Sequence, residues 1–248
     1  MLARFYKELA LRLGNSPLPL ATLVAFLAPF VLYALTLAPT VYNLDSAELT
    51  TAAATGGLVR STGYPLYLLL GRLWTHLPIG DVGYRMNLFS AVNGALTIAL
   101  MALIFKQLGV GPWSRFAALG LLACSTYFWG LSLIAEVYTL HTALMSTLLL
   151  LLLRWAERPT AYRLAWVGLI LGMSLSHHAA TVLLIPGCVW YIGTKCRERP
   201  TLRSWGLAGL ALLVGLSLYL YLPICYAHSP KFNYAGYYDK NGLFHPMN

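Results

Sequence analysis

Residues 85–105 read RMNLFSAVNGALTIALMALIF, twenty-one residues with one charge, Arg85, at the leading edge. At roughly 1.5 Å per residue a helix of this length covers a hydrocarbon core of about 30 Å. The run is rich in Leu and Ala and lacks the strict polar alternation of an outer-membrane strand, so a helix is expected over a barrel strand. Similar runs recur at Leu18–Ala38, Arg115–Leu131, Val137–Trp155, Tyr162–Ser176, Ala179–Thr194 and Ser204–Ile224. Together they predict an all-α polytopic membrane protein with about seven transmembrane helices. Composition agrees, because 58% hydrophobic and 10% charged residues leave too little polar surface to cover a water-soluble globule of 248 residues.

Working outward, residues 1–17 place Leu2, Phe5, Leu9 and Leu13 on one helical face with Arg4, Lys7 and Arg12 elsewhere, the pattern of a basic amphipathic helix on a membrane surface. A cleaved signal peptide is the rival reading. It is disfavoured because the run from Leu18 is longer than a signal core and no Ala-x-Ala site follows. Residues 18–225 then form the transmembrane module, 39–84 its long first outer loop, and 226–248 an outer tail. Within that loop Ala47–Leu58 and Tyr64–Leu77 are apolar enough for two short membrane-surface helices, separated near Gly63 and Pro65. The fifth and sixth spans are short, and a single bent hairpin through His177 and His178 is the alternative for them.

The net charge of +9 does not point to nucleic acid, because the bases sit in short loops between apolar runs. With a cytoplasmic N-terminus, twelve of the seventeen bases fall on the inner side, including Arg4, Lys106, Arg115, Arg154, Lys195 and Arg203. Arg60, Arg72, Arg85, Lys231 and Lys240 remain outside. The positive-inside rule therefore predicts an inner or plasma membrane protein with its N-terminus in the cytoplasm and its C-terminus outside. Cys124, Cys188, Cys196 and Cys225 have no Cys-x-x-Cys spacing and read as packing residues, with no metal site.

This topology gathers the chemistry-bearing residues on the outer face. Asp45 and Glu48 stand where a helix should begin, so they suit an N-cap with a box-like partner. They also suit a general base aimed at an acceptor hydroxyl. Glu136 opens the fourth span, where a negative charge favours a helix N-terminus. His177 and His178 would point about 100° apart on a continuous helix, which argues against a paired metal site, and either can donate to a phosphate. Arg60 and Arg85 can hold a phosphate through paired hydrogen bonds or anchor to lipid headgroups. His141, inside the fourth span, reads as a hydrogen-bonding partner for a neighbouring helix or as a haem or chlorophyll ligand.

The run LAPTVYNLDSAEL at Leu37–Leu49 and the Gly63-Tyr64-Pro65-Leu66-Tyr67 element resemble the bacterial and animal family of O-mannosyltransferase-like membrane proteins. The likeness continues through Arg85, Asn87, Leu88, Ser90 and Ala91, Trp129, Glu136-Val137-Tyr138-Thr139, His178 before Pro186-Gly187, and YLYLP at Tyr219–Pro223. It covers most of residues 35–236. Arg60-Ser61-Thr62 stands where that family commonly has His-Pro-Pro, and Asn233-Tyr234-Ala235 where it has Asn-Trp-Gly. The resemblance implies a type C glycosyltransferase (GT-C) fold and a polyprenyl-phosphate sugar as donor, with Asp45 as base and Glu48 or Glu136 binding acceptor or donor. Arg60, Arg85, His177 and His178 then steady the phosphate. No cofactor is expected beyond that lipid-linked substrate, and a divalent metal requirement stays open.

Two functions follow as expectations. The first is transfer of a mannose-like sugar from a polyprenyl-phosphate donor to a hydroxyl acceptor at the outer face. The second, motivated by the chain stopping at Asn248 where relatives continue, is a catalytically inactive, shortened GT-C-like structural subunit packed among other membrane protein subunits. A small transporter is disfavoured, since no charged pair falls mid-membrane and no inverted repeat is visible.

Overall fold

The structure, a computed structural model, describes residues 18–43, 45–60, 62–195, 200–228 and 230–246; the expected surface helix at 1–17 lies outside the described residues. The helices are α1 Leu18–Leu35, α2 Asp45–Thr55, α3 Pro65–Trp74, α4 Val82–Gln107, α5 Pro112–Ala123, α6 Thr126–Ser132, α7 Val137–Glu157, α8 Ala161–His177, α9 Ile185–Lys195, α10 Leu202–Leu216 and α11 Tyr221–Ala227. Short 3-10 turns at Ala179–Leu184 and Ser217–Leu220 lead into α9 and α11. Among the described residues the regular structure is helical apart from one small hairpin in the tail, where β1 (Gly236–Tyr238) pairs antiparallel with β2 (Phe244–Pro246).

Among the described residues, three helical stretches are long and apolar enough to cross a membrane: Val82–Gln107, Val137–Glu157 and Leu202–Ala227. The shorter apolar helices Leu20–Leu35 and Ala179–Lys195 fall at other expected spans. The expected span Arg115–Leu131 is two helices, α5 and α6, broken at Cys124-Ser125. There Ser125 Oγ donates to the Leu122 carbonyl at 2.9 Å, the local side-chain bond with which serine competes against a helix.

Polar residues on α4 explain its central place. Asn87, fully buried, donates to the Ala38 and Thr40 carbonyls, each at 2.9 Å, and accepts from the Ala135 amide at 2.8 Å. Ser90 Oγ accepts from the Glu136 amide at 3.1 Å, and Thr97 meets Thr142 at 3.1 Å. Residue numbers rise together along this seam, so α4 and α7 run parallel, whereas α1 runs antiparallel to α4. In the second half, α8 and α10 pack in parallel through small residues. A Cβ at Gly168 or Gly172 would stand 2.2 Å from the Ala208 or Leu212 carbonyl oxygen, so only glycine permits this approach.

The loop between α1 and α4 holds two short helices, as its sequence predicts. Gly63 takes φ +74° and Tyr64 φ +41°, and Pro65 starts α3. Both helices seat Leu49, Ala52, Leu66, Tyr67 and Leu68 against Met86, Phe89, Val137 and Leu140, forming one apolar core. The tail then fastens the loop from the other side. The Leu58 amide donates to the Phe232 carbonyl at 2.9 Å, the Tyr234 amide to the Leu58 carbonyl at 3.1 Å, and the Tyr221 hydroxyl to the Gly57 carbonyl at 2.9 Å. A second core of Leu148, Leu152, Trp155, Leu164, Val167, Cys188, Ile192 and Ala208 joins α7 to α10 at the opposite end of the bundle.

Candidate functional site

The helix directions bring the start of α7, the end of α8, the start of α4 and the α2–α3 loop to one end of the bundle. Asp45 and Glu48, one turn apart on α2, both close on Arg60. The Arg60 Nη2 donates to Asp45 Oδ1 at 2.6 Å and its Nε to Glu48 Oε2 at 2.9 Å, while its backbone amide donates to Glu48 Oε1 at 2.7 Å. The Tyr234 ring from the tail lies 5.0 Å from the guanidinium carbon, a cation–π contact. Both acids lie in the first turn of α2 and are joined by an arginine clamp across twelve to fifteen residues. Glu48 is nearly enclosed, with a side chain 10% exposed, whereas Asp45 at 53% faces outward.

Glu136 lies between this clamp and a deeper aromatic pocket. Its amide is held by Ser90 at the entrance to α7, and burial, reinforced by the nearby Asp45 charge, pushes its carboxyl up to about 7. Below it the Tyr67 hydroxyl is fully buried beside Ser90. Burial and the adjacent Glu136 charge raise the Tyr67 phenol, so it stays protonated and able to donate.

The two adjacent histidines behave differently from the expectation for one helix. α8 ends at His177, and His178 is extended at φ −146° and ψ 123°, so both rings reach the same pocket. Their centroids stand 6.1 and 5.9 Å from the Tyr64 ring. His141 joins from α7, with its ring 4.6 Å from that of His178 and 6.1 Å from that of His177. His177 Nε2 donates to the Val137 carbonyl at 2.9 Å, which leaves its Nδ1 as an acceptor, and among the described residues neither this Nδ1 nor the buried His141 Nδ1 has a partner. His178 Nδ1 accepts from the Ala180 amide at 3.2 Å, and burial holds its imidazole below the usual range. Its Nε2–H is then the ring donor. Among the described residues, no group of three or more His, Cys, Asp or Glu side chains is arranged to hold a metal ion.

Arg85 belongs to a different constellation. Its guanidinium donates to the carbonyls of Ile79 at 2.7 Å, Thr75 at 2.5 Å and Gly80 at 2.9 Å, so it ties the end of α3 to the start of α4. Asp81 caps α4 there by accepting from the Tyr84 amide at 2.7 Å. Of the expected residues, Asp45, Glu48 and Arg60 meet directly, Glu136 joins them through its charge, and His177 and His178 line the pocket below. Sequence reasoning gave no site role to Tyr64, Tyr67, Tyr138 or Tyr234. The left-handed Gly63-Tyr64 turn and the tyrosines flanking the buried histidines were the available signal.

A bundle of apolar helices presenting a carboxylate and arginine cluster at one end is the arrangement of an integral membrane protein with an interfacial polar site. A family model described as the protein O-mannosyl-transferase TMEM260 N-terminal domain matches residues 45–201, and the chain belongs to that family. The mouse protein O-mannosyl-transferase TMEM260 is 31% identical over 210 residues, a match covering 82% of this chain and 30% of that protein. The Dictyostelium discoideum protein O-mannosyl-transferase tmem260 is 25% identical over 241 residues, covering 86% of this chain and 28% of that protein. The chain therefore spans under a third of the length of these curated relatives. No solved structure matches it.

Proposed function

We propose that this chain carries the catalytic end of a GT-C-like sugar transferase, with about seven membrane-crossing segments and the α2–α3 loop on the outer face of an inner or plasma membrane. In this reading a mannose-like sugar passes from a polyprenyl-phosphate donor to an acceptor hydroxyl. The observation that supports it best is the Asp45–Arg60–Glu48 clamp beside Glu136, above buried polar atoms that lack partners. Each orphaned polar group costs about 1–3 kcal/mol, and a polyhydroxylated ligand supplies the missing bonds.

The chemistry follows from exchange of partners at Arg60. A donor phosphate competes for the guanidinium, and Glu48 keeps the arginine in place while Asp45 is released. The Asp45 carboxylate then takes the proton of the acceptor hydroxyl as its oxygen attacks the anomeric carbon. The bond from that carbon to the phosphate oxygen breaks, and polyprenyl phosphate leaves with its charge held by Arg60 and the His178 Nε2–H. Glu136 and Tyr67 orient the sugar by hydrogen bonds, while Arg85 keeps the loop anchored to α4.

The test compares the native chain with Asp45→Asn for transfer from a polyprenyl-phosphate mannose donor. The Asn variant should retain its folding and lose roughly a hundredfold or more of its transfer rate. Full transfer by the variant removes Asp45 from the reaction. A second reading, a structural subunit derived from this fold, is favoured by the exposed face of Leu202–Ala227, of which only 11% of the apolar stretch is buried. Absence of transfer by either form, together with a fixed stoichiometric partner, would select it.

A further inference from the structure

At the opposite end from the acids, α1, α4 and α5 line an open apolar slot of about 330 Å³. Small side chains make the space, with Ala25 and Ala28 on α1, Ala102 on α4 and Gly120 on α5. A Cβ at Gly120 would meet nothing within 4 Å. The closed end lies at Leu32 and Ala123, where the Tyr33 hydroxyl donates to the Ala123 carbonyl at 2.9 Å. The mouth of the slot carries Pro112 and Arg115 in the first turn of α5, and Lys106 lies in the last turn of α4 across the connecting turn. The Arg115 side chain is half-buried and makes no hydrogen bond or ion pair among the described residues. Trp113, exposed beside it, has the character of a residue at a membrane–water boundary.

We propose that this slot binds one acyl chain of an anionic glycerophospholipid whose headgroup phosphate lies against Arg115. The apolar lining selects a chain, the volume is in the range of ordinary ligand pockets, and the unengaged guanidinium selects a phosphate that carries no compensating ammonium. Arg154, Arg158, Arg163 and Lys195 share this end, adding an attractive field for anionic lipid. A polyprenyl-phosphate donor is not the occupant, because its phosphate would be needed at the acid-bearing end. Only this exclusion rests on the transferase reading.

Purified chain, stripped of lipid in mild detergent, should be titrated with dioleoyl phosphatidylglycerol or dioleoyl phosphatidylcholine and read by native mass spectrometry. One phosphatidylglycerol should be retained per chain, in preference to phosphatidylcholine by about fivefold. Arg115→Gln should remove that preference, Gly120→Phe should fill the slot and abolish retention of both lipids, and Arg203→Gln should change neither. Equal retention of the two lipids by the native chain, undiminished preference in Arg115→Gln, or equal loss in Arg203→Gln would overturn the proposal. If Gly120→Phe does not fold, the two arginine variants decide the question by themselves.

Discussion

Helix α4 and the stretch Leu202–Ala227 are both 26 residues long and almost equally apolar, yet 56% of the apolar window is buried in the first and 11% in the second. The difference lies in their few polar and small residues. α4 carries Asn87, Ser90 and Thr97 at helical spacing and uses them to hold the segment that follows α1 and the start of α7. Leu202–Ala227 has glycine and alanine contacts to α8 on one side, while Leu210, Leu213 and Val214 remain exposed on the other. Apolarity therefore decides that a helix is in the membrane, and polar or small residues decide which face it turns to protein.

The largest effect expected from breaking this contrast is at Asn87. Replacing it with Leu orphans the Ala135 amide and the Ala38 and Thr40 carbonyls and should destabilise the chain by about 3 kcal/mol or more, seen as a large fall in thermal midpoint in detergent. An unchanged midpoint would mean that α4 is not the organising helix. Gly172→Leu comes next. Its Cβ would meet the Leu212 carbonyl oxygen at 2.2 Å and force α8 from α10, costing about 1–3 kcal/mol while leaving the α4–α7 seam intact. Hydrogen exchange should rise in α8 and α10 and stay low in α4.

Glu136→Gln tests the polar end of the α4–α7 seam through pH. A carboxyl raised to about 7 in the folded chain binds more protons there than when unfolded, where its ordinary value is 4.5. Stability from this group is thus present at low pH and is lost as pH rises from about 4.5 through 7. The Gln variant should lose that dependence and melt about 2–4 °C higher than the native chain at pH 8, with little gain at pH 5. A parallel fall in both proteins would show that Glu136 ionises normally. The smallest effect is expected for Leu213→Ala on the exposed face of α10, within about 0.5 kcal/mol of the native chain in detergent. A large loss there would show that this face is packed against another protein.

Legibility varied along the chain for physical reasons. Asp45 and Glu48 could be paired from their spacing on one helix turn, and Glu136 could be placed at a helix start on the same side. Arg60 was recognisable as a surface base, but its clamp on both acids depends on where the chain leaves α2 at Gly56, in the left-handed region. Arg85 carried the same sequence signal, and its three carbonyl partners arise only where α3 and α4 meet. His141 read as a lone intramembrane histidine because its neighbours, His177 and His178, are more than thirty residues away in the chain.

Length, apolarity and the scarcity of charge by themselves determined that this is a helical membrane protein with a structured loop after its first apolar helix. Those properties are local, since a backbone in lipid must satisfy its own hydrogen bonds within each segment. Only the tertiary structure decided that α5 breaks from α6, that α4 lies at the centre, and that Arg60 joins Asp45 to Glu48 above a histidine pocket. Such contacts depend on the register between distant helices, which buried polar bonds and close glycine approaches set and which no single segment encodes.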